Sequence, residues 1–117
     1  MDIWKHGKYI DLWSVVHFLS GFVLAGLWYV FGFGFIPAII GSIFLLLLWE
    51  IVEEVTKIIE PSINVIFDII TGFLGFLFGA YIFYIKSESL IYLYVALVLS
   101  VSLGVWGFLD FLKRGYR

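Results

Sequence analysis

The sequence predicts an all-α polytopic membrane protein: one domain over residues 1–117, folded as an antiparallel bundle of four transmembrane helices. Three observations predict this class. Hydrophobic residues make up 63% of the chain and aromatic residues 21%, and the mean hydropathy is +1.10, which leaves too little polar surface to cover a soluble globule of 117 residues. The chain also offers four mostly apolar stretches of the roughly 20 residues that a spanning helix needs. The breaks between them are brief, and connections that short make consecutive helices antiparallel neighbours.

The first span is expected over 12–31. The stretch before it, MDIWKHGKYID, loosely resembles a signal peptide, but it carries acids, lacks a small-residue cleavage site and leads into further spans. An uncleaved first helix is the reading it favours. The FGFGF run interrupts the apolar pattern, and Pro37 follows it near the first turn of a second span over 36–59, where a missing amide has no helical partner in any case. Glu60-Pro61-Ser62 ends that span, and Pro61 stands in the same relation to a third span over 63–85. Asn64 and Asp68 lie within this third span. Lys86-Ser87-Glu88 precedes the fourth, over 89–112.

Orientation follows from the basic residues. With four spans the N-terminus, the second loop and the C-terminus share a side that collects Lys5, Lys8, Lys57, Lys113, Arg114 and Arg117, against Lys86 on the other. By the positive-inside rule both termini are cytoplasmic and the protein resides in the cell membrane. Removing the third span would put the C-terminal basic group on the opposite side and weaken the bias.

Composition excludes several functions. The net charge is -2, and the seven Lys and Arg are dispersed along the chain, so no electrostatic footprint for nucleic acid exists. The absence of cysteine excludes disulfides, thiolate metal sites and cysteine nucleophiles. No period of 20 to 50 residues repeats and the two halves are dissimilar, which argues against an inverted-repeat transporter within one chain.

The polar residues inside the spans carry the functional argument. A carboxylate near a bilayer centre costs about 2.5 to 3.5 kcal/mol even on lenient insertion scales, so such groups face protein or water and mark working sites. Glu50, Glu53 and Glu54 close the second span in LLLLWEIVEE. At 1.5 Å of rise per residue, Glu50 sits about 14 Å inside its end. His17 lies about two turns into the first span, and Asn64, Asp68 and Thr71 occupy the first three turns of the third. The up-and-down path alone brings all of them to one leaflet. Phase agrees: Asn64, Asp68, Thr71, Gly72, Gly75 and Gly79 share a face of the third span, and Glu50 and Glu54 share a face of the second, with Glu53 slightly to one side.

Plainer roles compete with this one. Gly72, Gly75 and Gly79, with Gly21 and Ala25 on the first span, read as helix-packing positions where backbones approach closely, and Ala96, Ser100 and Gly104 are the fourth span's counterpart. Glu53 and Glu54 can snorkel towards headgroups or pair with Lys57. Asn64 can cap the third helix. Asp110 can pair with Lys113 or Arg114 in solvent. Trp4, Tyr9, Trp13, Tyr84, Tyr92 and Tyr116 read as interfacial belts.

The ligand-binding set is therefore His17, Glu50, Glu53, Asn64 and Asp68, and His17, Glu50 and Asp68 are the candidates for catalysis and for metal ligation. Imidazole and carboxylates are normal ligands for magnesium, manganese or zinc, so a divalent cation is the cofactor this chemistry suggests, though no H-E-x-x-H motif is present. Packed carboxylates could instead share protons, since they cannot all ionise in a low dielectric. Ser14 and Ser20 lie within helical reach of His17, but a Ser-His-acid arrangement would lack an oxyanion hole.

The order of these residues resembles the VanZ-like small membrane proteins, including their YjdF-like branch. His17 in HFLSGF, the second helix ending WEIVEE, and Asn64 and Asp68 in N-x-x-x-D before Gly72, Gly75 and Gly79 carry the resemblance from about His17 to Gly79. It implies that His17, Glu50, Asp68 and Asn64 are the family's recurring polar residues, and that the protein is a membrane protein of a kind linked in some members to glycopeptide resistance. Where that family places a glutamine and an arginine-containing loop after the glutamate, this chain has Glu53 or Glu54 and Lys57. Glu50, Glu54 and FDIITG also echo bacterial diacylglycerol kinase, but E-x-x-N-T-A-x-E is missing and Phe67 stands where that kinase has lysine.

The leading expectation is a VanZ-like protein whose His/Glu/Asp pocket near the cytoplasmic leaflet binds or processes a lipid-linked or amphipathic small molecule. The alternatives are a proton- or ion-coupled transporter or channel assembled as a homo-oligomer, a diacylglycerol-kinase-like lipid kinase, and a structural or regulatory membrane subunit.

Overall fold

A computed structural model of the chain describes residues 12–55 and 62–114. Four α-helices and one π-turn, with no strand among the described residues, make up the fold: α1 (Leu12–Val30), α2 (Phe35–Val55), α3 (Ser62–Ala80), the π-turn Tyr81–Ile85 and α4 (Ile91–Arg114). Each α-helix is long and apolar enough to cross a bilayer.

The FGFGF break is a helix cap built from its own sequence. Gly32 adopts a φ of +85°, a left-handed conformation that costs a glycine nothing sterically. Its N–H donates to the Tyr29 carbonyl at 3.1 Å, and the Phe33 N–H donates to the Trp28 carbonyl at 3.0 Å. These are the two bonds of a Schellman motif, in which the residue beyond the glycine also packs on the helix it terminates. Phe33 does so, its ring meeting Trp28 edge-on at 5.0 Å between centroids. The chain then turns immediately into α2, with Pro37 in its first turn.

The third apolar stretch ends differently from its start. Its last five residues, Tyr81–Ile85, form a π-turn in which the Lys86 N–H donates to the Tyr81 carbonyl at 3.0 Å, five residues back instead of four. The turn buries Phe83 completely and presents Tyr84, whose hydroxyl donates to the Phe33 carbonyl at 2.7 Å. Tyr84 thus ties the end of this stretch to the α1–α2 loop.

α1 and α3 form the central pair, with α4 packed on α1 and α2 packed against both. Glycines set how closely the central pair approaches. A Cβ added at Gly21 would overlap the Gly72 carbonyl oxygen, and one added at Gly75 would overlap the Phe18 carbonyl oxygen. At Gly79 it would stand 2.9 Å from both the Ala25 Cβ and the Phe22 carbonyl. These partners are backbone or the short Ala25 side chain, so no flexible group can yield. Register follows: partners of α1 in α3 rise in number as α1 rises, from Phe18 with Gly75 to Phe22 with Gly79. Partners in α4 fall, from Val16 with Gly104 through Ser20 with Ser100 to Gly26 with Leu93.

Two apolar clusters fill the contacts above this level. Phe22, Val23, Phe83, Leu93 and Ala96 join α1, the π-turn and α4, and Ala25, Ala38, Phe76 and Ala80 join α1, α2 and α3. The outer faces of α2 and α4 are uncovered: Ile40, Phe44, Leu47 and Ile51 on one, and Val98, Val101, Val105 and Leu109 on the other, are exposed.

Candidate functional site

Three helices each contribute one polar side chain to a single point. His17 comes from α1, Glu50 from α2 and Asp68 from α3, and a ligating atom of each lies within 4.8 Å of the other two. Local structure explains the convergence. His17 is the residue before Phe18, whose carbonyl meets Gly75, and its own carbonyl lies 3.7 Å from the Cβ position of Gly72. Gly72 stands one turn after Asp68 on the same helix face. On the α2 side, the Leu46 side chain packs at 2.8 Å from that Gly72 position, and Glu50 follows Leu46 by one turn. The glycine contacts that close α1 on α3 thereby place the three polar groups one turn from the apolar core.

Asp68 is the most enclosed of them. It is 0% exposed, and His17 is buried at 6%, while Glu50 is half-buried. His17 Nε2 approaches Asp68 Oδ2 to 3.3 Å. That contact is not an aligned hydrogen bond, for among the described residues no group donates one to either oxygen of the Asp68 carboxyl. A carboxylate taken out of water without such donors loses several kcal/mol of solvation. Buried polar groups left in this state call for an explanation in terms of a role or a bound group.

Two nearby hydroxyls are committed elsewhere. Thr71 donates back along its own helix to the carbonyls of Phe67 and Asp68, at 2.9 and 3.0 Å, and Ser20 faces Ser100 of α4 at 3.4 Å. Ser14, buried at 4%, lies one turn before His17 on α1. The side chains of Glu53, Glu54 and Asn64, and all of Lys57, lie outside the described residues, as do Trp4, Tyr9 and Tyr116. The structure thus gathers His17, Glu50 and Asp68, while Gly21, Ala25, Gly72, Gly75 and Gly79 line the contact that holds α1 on α3.

One buried polar contact escapes sequence reasoning. Ser42, fully buried on α2, accepts a hydrogen bond from Trp28 Nε1 at 2.9 Å. Its sequence signal is the small pair Gly41-Ser42 in a run of large apolar residues. A Cβ at Gly41 would stand 2.6 Å from the Trp28 ring, so the pair forms a notch for the indole.

Chemically, the cluster offers one imidazole nitrogen and carboxylate oxygens from two residues. Such a set can hold a divalent cation, or it can receive the polar head of a ligand whose apolar part lies along the helices. Compared with known protein families, curated proteins and solved structures, the chain matches none.

Proposed function

We propose that this chain is a four-span protein of the cell membrane, an antiparallel bundle with both termini cytoplasmic, whose His17–Glu50–Asp68 pocket binds or processes a lipid-linked or amphipathic ligand. The observation that carries this reading is the convergence of three ionisable side chains from three helices around a fully buried Asp68. Ionisable groups within spans are expensive and are retained where they work. The exposed apolar faces of α2 and α4 fit a lipid environment. The pocket belongs to the N-terminal part of α1, the C-terminal part of α2 and the N-terminal part of α3, which the basic-residue bias assigns to the cytoplasmic leaflet. A ligand entering from that leaflet would place its polar head among the three residues and its chain against the uncovered helix faces. The resemblance to VanZ-like proteins, carried by the same His17, Glu50, Asn64 and Asp68, favours this reading over a kinase.

The test is lipid retention. Wild type, His17→Ala and Glu50→Gln are purified in mild detergent and their co-purifying lipids compared by native mass spectrometry. Wild type should retain a specific polar-headed lipid that both variants lose, although both insert and purify normally. Equal retention in all three would refute the reading.

A further inference from the structure

We infer that His17, Glu50 and Asp68 form a binding site for a divalent first-row transition-metal ion, with zinc as its representative. The inference deepens the reading above and rests on it only for the ion's role towards a ligand. Metal binding itself is measured without any lipid.

The geometry of the central pair comes first. Two ligands bound at about 2.0 to 2.1 Å with a tetrahedral angle between them stand about 3.3 Å apart. His17 Nε2 and Asp68 Oδ2 are 3.3 Å apart. The ring nitrogen lies beside that oxygen without an aligned hydrogen bond, as two ligands do along an edge of one coordination polyhedron. Glu50 completes the set: one of its carboxylate oxygens lies within 4.8 Å of a ligating atom of each of the other two residues, and its side chain is half-buried.

The burial of Asp68 is the second, independent observation. Both of its carboxylate oxygens are enclosed and accept no hydrogen bond from the described residues, so among these only the His17 ring, 3.3 Å away, stands close enough to balance the group, and only when protonated. A cation at the focus of the three side chains would balance it. Thr71, the nearest hydroxyl along the helix, bonds to main-chain carbonyls instead.

Ligand type then selects the ion. An imidazole nitrogen suits zinc, iron, nickel or copper, whereas magnesium and calcium prefer all-oxygen shells. Three protein ligands leave a fourth position of a tetrahedral ion open. An anionic headgroup oxygen is the chemistry it would accept.

The experiment uses the full chain, purified without a polyhistidine tag, stripped with a chelator and titrated with zinc, manganese, magnesium or calcium chloride by isothermal calorimetry. Equimolar zinc binding is expected, weakened at least 100-fold by Asp68→Asn and by His17→Ala and unchanged by Ser100→Ala, which lies on α4, the helix that supplies none of the three ligands. X-ray absorption of the zinc-loaded wild type should show a nitrogen/oxygen shell at about 2.0 to 2.1 Å with imidazole scattering, a readout independent of whether the variants fold. No zinc binding, zinc binding unaffected by Asp68→Asn, or binding of magnesium or calcium in preference to zinc would each overturn the inference. A protein that binds no zinc yet keeps its lipid refutes the ion and leaves the lipid pocket standing. One that binds zinc at these residues but retains no lipid does the reverse.

Discussion

Gly75→Ala and Gly104→Ala are chemically the same substitution in helix interiors, and the structure assigns them opposite signs. At Gly75 the new Cβ would stand 2.8 Å from the Phe18 carbonyl carbon and overlap its oxygen. Restoring ordinary contact at about 3.4 Å requires α1 and α3 to part by at least about 0.6 Å. Both partners are backbone, so no rotamer change relieves the clash, and the cost belongs at the upper end of overpacking, about 3 kcal/mol. Replacing a helix-interior glycine by alanine returns about 1 kcal/mol in intrinsic propensity, leaving a net loss of about 2 kcal/mol. At Gly104 the nearest atom, Val16 Cγ1, is 4.0 Å from the new Cβ, so only the propensity gain of about 1 kcal/mol remains. Equilibrium unfolding in mixed micelles, followed by tryptophan fluorescence, measures both. If Gly75→Ala proves as stable as Gly104→Ala, the α1–α3 approach described above is wrong, and with it the placement of His17 beside Asp68.

Two further substitutions test the polar ties that hold the outer elements. Ser42→Ala removes the acceptor of the Trp28 indole in an apolar setting; interhelical bonds of this kind are worth about 0.6 kcal/mol and at most about 1.7, so the same unfolding assay should show a loss within that range, and none at all would mean the bond is not made. Tyr84→Phe keeps the ring contacts with Tyr29 and Phe35 but deletes the bond to the Phe33 carbonyl, which predicts a loss of about 0.5 to 1.5 kcal/mol and faster hydrogen exchange in the α1–α2 loop, with unchanged exchange there counting against the tie.

What the sequence reveals and what it hides divide along physical lines. Helices long and apolar enough to cross a bilayer are uniform runs of about 20 apolar residues, so the four helices are plain in the letters, and FGFGF marks a turn because glycine is needed for its left-handed step. The shared depth of His17, Glu50 and Asp68 was also accessible, since an up-and-down path and a rise per residue suffice to compute it. Uniform hydrophobicity is equally the reason other features stay hidden. A helix apolar all round carries no stripe to separate its core face from its lipid face, so nothing in the letters pairs Trp28 with Ser42 or leaves Ile40 and Phe44 uncovered. The π-turn at Tyr81–Ile85 is a one-residue shift in backbone bonding, and no side-chain composition encodes it.

The glycine stripe and the polar cluster are best understood as one device. Small residues let α1 and α3 approach until Gly21 meets Gly72 and Phe18 meets Gly75, and apolar burial alone gives little reason for so close a contact, because lipid tails solvate leucine as well as a neighbouring helix does. What the approach accomplishes is positional: it brings His17 of α1 to 3.3 Å from Asp68 of α3, both buried. Larger residues at Gly21 and Gly75 would leave a looser bundle in which these side chains could not meet. The packing stripe therefore sets the distance between the polar side chains, and a substitution there is expected to disturb the proposed site even though it touches none of the three polar residues.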